Sequence, residues 1–365
     1  MYYRLVLRSV VFFCSIVQGA ALAQPLPSWL DPQQLPPQLS RLLTRAQEGH
    51  LEDEVKLADA LRQGRGVEAN PRMAAFWYER AAGMGDSYSQ VQLGNLYFSG
   101  SGVPADQAQA FKWFARAASE GSLSGQYNLA MLYAAGKGAP QDLRAAEHWF
   151  HQAADKHFSP SELALGLMYV EGRGVARNPE EGLKWIRRAA AQKNAQAWFV
   201  LADLLDEGAV VRQDRREAAK WYDKAAKTGH AGALNNLGLL YLHGNGVLQD
   251  FAAAFRLLRA AAEGHDPIAC RNLARLYGEG IGTPKDLSAA TVWLMLAAEG
   301  DPASRVPLER IKPLMDADRW EHCRKQAADW RALHPGPWLL QENEPLMDTG
   351  NESGQITASN AGLIR

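Results

Sequence analysis

The sequence predicts an all-α solenoid, in which about seven 36-residue helix pairs stack between capping helices. Three observations carry that expectation. Glycine returns every 36 residues, at Gly64, Gly100, Gly136, Gly172, Gly208, Gly244 and Gly280. A leucine followed by a small residue keeps the same phase, from Leu57-Ala58 to Leu273-Ala274. A tryptophan stands thirteen residues after the glycine at Trp77, Trp113, Trp149, Trp185, Trp221 and Trp293, with Leu257 in its place in the sixth unit. A single unit of this size cannot bury its own apolar faces, so stacking on the next must supply the core.

Taken from the N-terminus, residues 1–23 read as a secretory signal: Arg4 and Arg8 precede the apolar run Val10–Val17, and Ala21-Leu22-Ala23 is an A-x-A cleavage site that leaves Gln24 first. That run is too short for a membrane span, and no second run is long enough. The mature chain is therefore expected to be soluble and exported, with the periplasm as destination and secretion or the cell surface as alternatives. Residues 24–39 form a proline-rich lead-in in which Trp29 is expected to pack on the first helices. Ser40–Ala46 reads as a stray second helix ahead of the first unit. The solenoid with its caps is assigned to residues 40–333, ending in an amphipathic helix over Asp316–Ala332. Residues 334–365 are polar, rich in Asn, Ser and Gly, and expected to be disordered.

Within each unit the first helix carries the Leu-small pair and Tyr or Leu four residues on, which places one apolar face on a helix. The glycine suits a C-cap because it adopts positive φ without a Cβ clash. Six residues after it stand Asn70, Asp106, Asp142, Asn178, Asp214, Asp250 and Asp286, all good N-caps. Pro71 and Pro179 take the first helical position, and Gln109, Glu181 and Glu217 stand where a capping box needs them. The second helix runs through small residues and the tryptophan to an Ala-Ala pair, such as Ala117-Ala118.

The stretch from Leu93 to Gly121, with its Leu-small pair, Tyr97, Gly100-x-Gly102-Val103, Asp106, Trp113 and Ala117-Ala118, resembles the Sel1-like repeat family, relatives of the tetratricopeptide repeats. The resemblance covers nearly all of residues 40–333. It implies a right-handed superhelix of antiparallel helix pairs and a role in protein–protein scaffolding, often in exported bacterial proteins. Val210 departs from the pattern where other units have the second glycine, and Leu257 where others have tryptophan.

Composition narrows the chemistry. The net charge is −1, and removal of residues 1–23, with two arginines and no acid, takes it to −3. That leaves no basic excess for a nucleic-acid backbone. Cys270 and Cys323 remain after cleavage, as one bridge or as two separately buried thiols. The glycine turn lacks the Gly-Lys-Ser/Thr of a phosphate loop and the third glycine of a dinucleotide turn. No nucleophile elbow, S-x-x-K, C-x-x-C or H-E-x-x-H is present. His148 and His151 lie on one helix face without a clear third metal ligand. Some cysteine-rich relatives are described as β-lactamase-like, but they carry a cysteine pair in each repeat, which this chain lacks. No metal or cofactor is expected.

The remaining signal is surface variation. Three positions of each first helix, at −9, −5 and −2 from the glycine, share one face and vary between units. The candidate partner-binding residues on it are Phe98, Tyr127, Met131, Leu163, Leu167, Val170, Phe199, Asp203, Asp206, Leu239, Arg271 and Arg275. By analogy with related solenoids this face is concave. One reading makes it a groove for a partner helix or extended peptide; the other makes the same side chains core. The functional expectation is an exported, non-enzymatic adaptor for a protein or peptide partner, acting on an envelope complex, a secretion system or host contact. The alternative is a cell-wall hydrolase, β-lactamase-like protein or peptidoglycan binder, for which Asp203, Asp206 and Glu207 are the nearest acidic cluster.

Overall fold

The structure is a computed structural model and describes residues 36–335. The expected signal and cleavage site (1–23), Trp29 with nearly all of the lead-in, and the tail from residue 336 lie outside the described residues. All regular structure among the described residues is helical. They form two compact units: one takes in everything through Ser89 together with Ser101–Val103, and the other takes in Gln90–Gly100 and everything from Pro104 on.

The first unit holds α1 (Pro37–Gln47), α2 (Leu51–Gln63) and α3 (Pro71–Gly83). The capping helix α1 starts at Pro37, three residues ahead of the expected Ser40, because proline is tolerated at its first position. It buries Leu39, Leu43 and Ala46. The Glu54 carboxylate is fully buried and meets Arg80 at 2.7 Å. Burial pushes its pKa up, and the arginine opposes that rise. Tyr78 and Tyr88 both donate to Asp59, at 2.5 and 2.9 Å.

Of α4 (Ser87–Ser99) the residues from Gln90 on belong to the second unit, which continues with α5 (Gln107–Ser119), α6 (Leu123–Ala135), α7 (Leu143–Asp155), α8 (Ser159–Glu171), α9 (Pro179–Ala191), α10 (Ala195–Glu207), α11 (Arg215–Ala226), α12 (Ala231–His243), α13 (Phe251–Glu263), α14 (Pro267–Glu279) and α15 (Leu287–Ala297). The closing α16 (Arg305–Ile311) and α17 (Ala317–Leu333) follow. From α5 to α15 each helix packs on the one that follows it in sequence, which is the arrangement of a helix-pair solenoid.

The turns explain the two glycines. Gly136 ends α6 in the left-handed conformation, φ 65°, and its N–H reaches back to the helix carbonyls. Gly138, at φ 77°, has a second reason: an added Cβ would stand 2.1 Å from the Gln107 carbonyl oxygen at the start of α5. The first glycine ends a helix, and the second lets the turn approach the preceding helix pair. In the fifth unit Val210 replaces that second glycine and is partly buried against the core.

All seven N-caps form; Asp106 accepts from the N–H groups of Ala108 and Gln109 at 2.9 and 3.0 Å. The expected capping boxes do not close. Each N-cap N–H is already donated to the carbonyl nine residues back, as in Asp106 to Tyr97 at 2.8 Å and Asp214 to Leu205 at 2.9 Å. Glu181 instead pairs with Lys184, and Glu217 accepts from Trp221.

The repeat tryptophan fills the space between helices at Trp77 and Trp185, which are buried, but not in the other four units that carry it. Trp113, Trp149, Trp221 and Trp293 are only half-buried, while the next residue in each case, Phe114, Phe150, Tyr222 and Leu294, is buried. One step along a helix turns the side chain by roughly 100°, so that residue faces the core. The tryptophan rings carry cations on their faces, with Lys224 3.7 Å from the Trp221 centroid and Arg116 5.8 Å from that of Trp113.

Cys270 and Cys323 are both free and buried. Their sulfurs lie 3.7 Å from different carbonyls, those of Ala262 and Ser288. Among the described residues no helix is long and apolar enough to cross a membrane.

Candidate interaction face

The predicted face divides into core and surface. Tyr127, Met131, Leu163 and Val170 are each no more than 5% exposed, so they act in packing and offer no open groove. Tyr127 sits against Phe150 and Phe158, with ring centroids 5.6 and 6.1 Å away. Val170 fills the notch at Gly182, where an added Cβ would stand 2.7 Å from its Cγ2.

Phe98, Leu167, Phe199, Asp203, Asp206, Leu239 and Arg271 are half-exposed, and Arg275 is exposed. The Lys137 ammonium lies 5.1 Å from the Phe98 ring centroid. Phe199 stacks on His230 at 4.5 Å and tilts against Tyr222 at 6.0 Å. His230 caps α12 by accepting from the Ala233 N–H through Nδ1, at 3.2 Å. That places its proton on Nε2, 3.0 Å from Gln196 Oε1. Burial lowers the imidazole pKa to about 4, because the cation would lose its water.

The acids do not converge on a common point. Asp203 accepts from the Tyr222 hydroxyl at 2.7 Å and from Asn236 at 3.0 Å. Asp206 pairs with Arg215 at 3.0 Å, and Glu207 is exposed. His148 and His151 are engaged along their own helix by Gln152 and Asp155. This arrangement supplies hydrogen bonds and apolar contact, the means of recognition.

A polar chain crosses three first helices beneath the face. Asn272 donates to Asn235 at 2.9 Å, Asn235 to Asn236 at 3.0 Å, and Asn236 to both Asp203 and the Tyr222 hydroxyl. Asn236 and Asn272 stand at −8, a position absent from the predicted face. Tyr222 follows the repeat tryptophan. Its signal was present: tyrosine occupies that position only at Tyr78 and Tyr222, the two units with aspartate at −5.

At the last full unit, a cleft of about 440 Å³ opens between α14, α15 and α16. Arg271 and Arg275 line it from α14, with Leu294 and Ile311 as apolar walls. Arg271 is held by Asp301, Nε to carboxylate 3.1 Å.

Comparison with known proteins agrees with this construction. A family model, the Sel1 repeat, matches seven consecutive segments: 53–86, 87–122, 123–158, 159–194, 195–230, 231–266 and 267–302. Among solved structures, a Sel1 repeat protein from Oxalobacter formigenes is 29% identical with a TM-score of 0.62, over 80% of this chain and 83% of that one. A protective antigen of uropathogenic Escherichia coli strains, displaying an SLR fold, is 26% identical with a TM-score of 0.45, over 86% of this chain and 76% of that one. A search of curated proteins returned no match.

Proposed function

The chain belongs to the Sel1 repeat family, and on that premise we propose that it is a non-enzymatic scaffold holding a partner protein or peptide on the first-helix face of its second unit. Sel1 repeats generally mediate protein binding. The observation that carries the reading is the row Phe98, Leu167, Phe199 and Leu239, large apolar side chains left half-exposed. Tyr127, Met131 and Leu163, at the corresponding positions of their first helices, are spent on the core. Each of the four in that row packs one side on the core and leaves the rest to solvent, and apolar surface gathered in this way marks an interaction site. The proposal includes export to the periplasm, which rests on the sequence of residues 1–23.

Photo-crosslinking from position 167 in cells of the native organism tests the binding reading. The expected result is one dominant adduct that disappears in a Leu167→Glu, Phe199→Glu variant with unchanged thermal stability. A large drop in melting temperature without loss of a specific adduct would assign these residues to the core instead. Export is tested by fractionation and N-terminal sequencing, with Gln24 expected first.

A further inference from the structure

The cleft at α14–α16 has a chemistry of its own. Arg271 and Arg275 are one helical turn apart and so project from the same face of α14. Asp301 fixes Arg271 through Nε and is itself held by the Ser304 hydroxyl at 2.8 Å and the Ala303 N–H at 3.1 Å. The terminal nitrogens of Arg271 therefore point from an anchored guanidinium and have no hydrogen-bond partner among the described residues. Arg275 is exposed and, among the described residues, has no hydrogen-bond or ion-pair partner. Asn272 spends its amide N–H on Asn235 and keeps its carbonyl oxygen. Leu294 and Ile311 flank these donors.

We propose that this cleft seats an acidic side chain of a linear partner peptide, gripped by Arg271 and Arg275, with a neighbouring apolar side chain against Leu294 and Ile311. The inference rests on the scaffold reading and adds the class of residue recognised. An arginine fork matches the two oxygens of a carboxylate, and pre-anchoring of Arg271 lowers the ordering cost of binding. The volume lies within the range of roughly 300–1,000 Å³ usual for small-ligand pockets, room for a few side chains and not for a folded domain. Glu279, one turn beyond Arg275 on the same rim, repels a run of acids. The occupant is therefore an isolated carboxylate beside an apolar residue, and a polyanion is disfavoured.

The test is a phage-displayed library of random linear dodecapeptides panned on the full mature chain and, in parallel, on its Arg275→Glu variant. Arg275 is exposed and unpaired, so the variant keeps the fold, which circular dichroism checks. Peptides selected on the wild type should be enriched in Asp or Glu next to Leu, Ile, Val or Phe. The best of them should bind at least roughly tenfold more weakly to Arg275→Glu and to its own Asp/Glu→Asn/Gln counterpart, with affinity falling as salt rises. Selection on Arg275→Glu should lose the acidic bias. Equal acidic enrichment on both proteins, no acidic enrichment, or tighter binding of a phosphoserine version would overturn the proposal. A photo-crosslinked adduct at position 167 that survives Arg275→Glu alongside any of these results would leave the scaffold reading standing while removing this one.

Discussion

Removing the hydroxyl of Tyr222 is the sharpest probe of how the polar chain contributes to the fold. The ring is fully buried, so Tyr222→Phe keeps the packing and deletes one oxygen. That oxygen donates to Asp203 at 2.7 Å and accepts from Asn236 at 3.1 Å. A hydrogen bond to a charged group contributes about 1.5–3 kcal/mol. Asp203 is half-exposed, so water replaces part of the loss and the expected cost is about 1.5 kcal/mol. Asp203→Met alone should cost about 2 kcal/mol, because the hydroxyl loses its acceptor in a buried site. The double variant places at these positions the residues of the third unit, Met131 and Phe150, which lie in one buried cluster, and its cost should fall short of the sum of the singles by at least about 1 kcal/mol. Urea titration of all four proteins reads this out as shifts in midpoint at constant m-value. Additivity within about 0.5 kcal/mol would refute the argument, since it would mean that the pair does not act as a unit. The same burial, together with the nearby Asp203 charge, raises the phenol above its usual pKa. Its contribution is therefore complete below the unfolded tyrosine value and is lost as the pH climbs beyond it, a loss that Tyr222→Phe should remove.

Three further outcomes follow from the geometry. The pKa of His230 falls from 6.5 unfolded to about 4 folded, so its contribution is complete above pH 6.5 and drains away as pH drops toward 4, by up to roughly 3 kcal/mol. His230→Asn, which copies the Asn194 cap, should flatten that part of the stability–pH curve measured by denaturant titration. Lys193 sits in the left-handed region at φ 63°, and Lys193→Gly should raise stability by about 0.5 kcal/mol; His157→Gly should gain less, because His157 also meets Arg188 and Glu162. Gly121→Ala meets nothing within 4 Å and should cost only about 1 kcal/mol for its left-handed backbone. Gly138→Ala, aimed at the Gln107 carbonyl, should cost at least about 3 kcal/mol, the two being compared by thermal melts.

Much of the fold was legible because its punctuation is local. The cap at Asp106 and the helix stop at Gly100 depend on residues within one turn, and both stand where the spacing put them. The capping boxes at Gln109, Glu181 and Glu217 were misread because a competing acceptor, the carbonyl nine residues back, becomes visible only once the turn is folded. The candidate face was legible as a face but not in its depth. Positions −9 and −5 carry Tyr127 and Met131 into the core of one unit and leave Phe199 and Asp203 half-exposed in another. The neighbours differ in polarity, Phe150 and Phe158 in the first case and Tyr222 and His230 in the second. A sequence orders such neighbours along the chain, and packing decides among them across it.

The backbone bonds that close the turns have a mechanical consequence. Outside the helices, no backbone hydrogen bond among the described residues spans more than nine residues. What passes from one helix pair to the next is side chain, as where Arg188 reaches the Ala154 carbonyl and Trp198 reaches that of Ala190. Within the second unit the pairs are thus joined to one another through side-chain seams alone. Under tension such a chain should yield seam by seam, and a freed pair, its apolar face uncovered, should depend on its neighbour to recover its core.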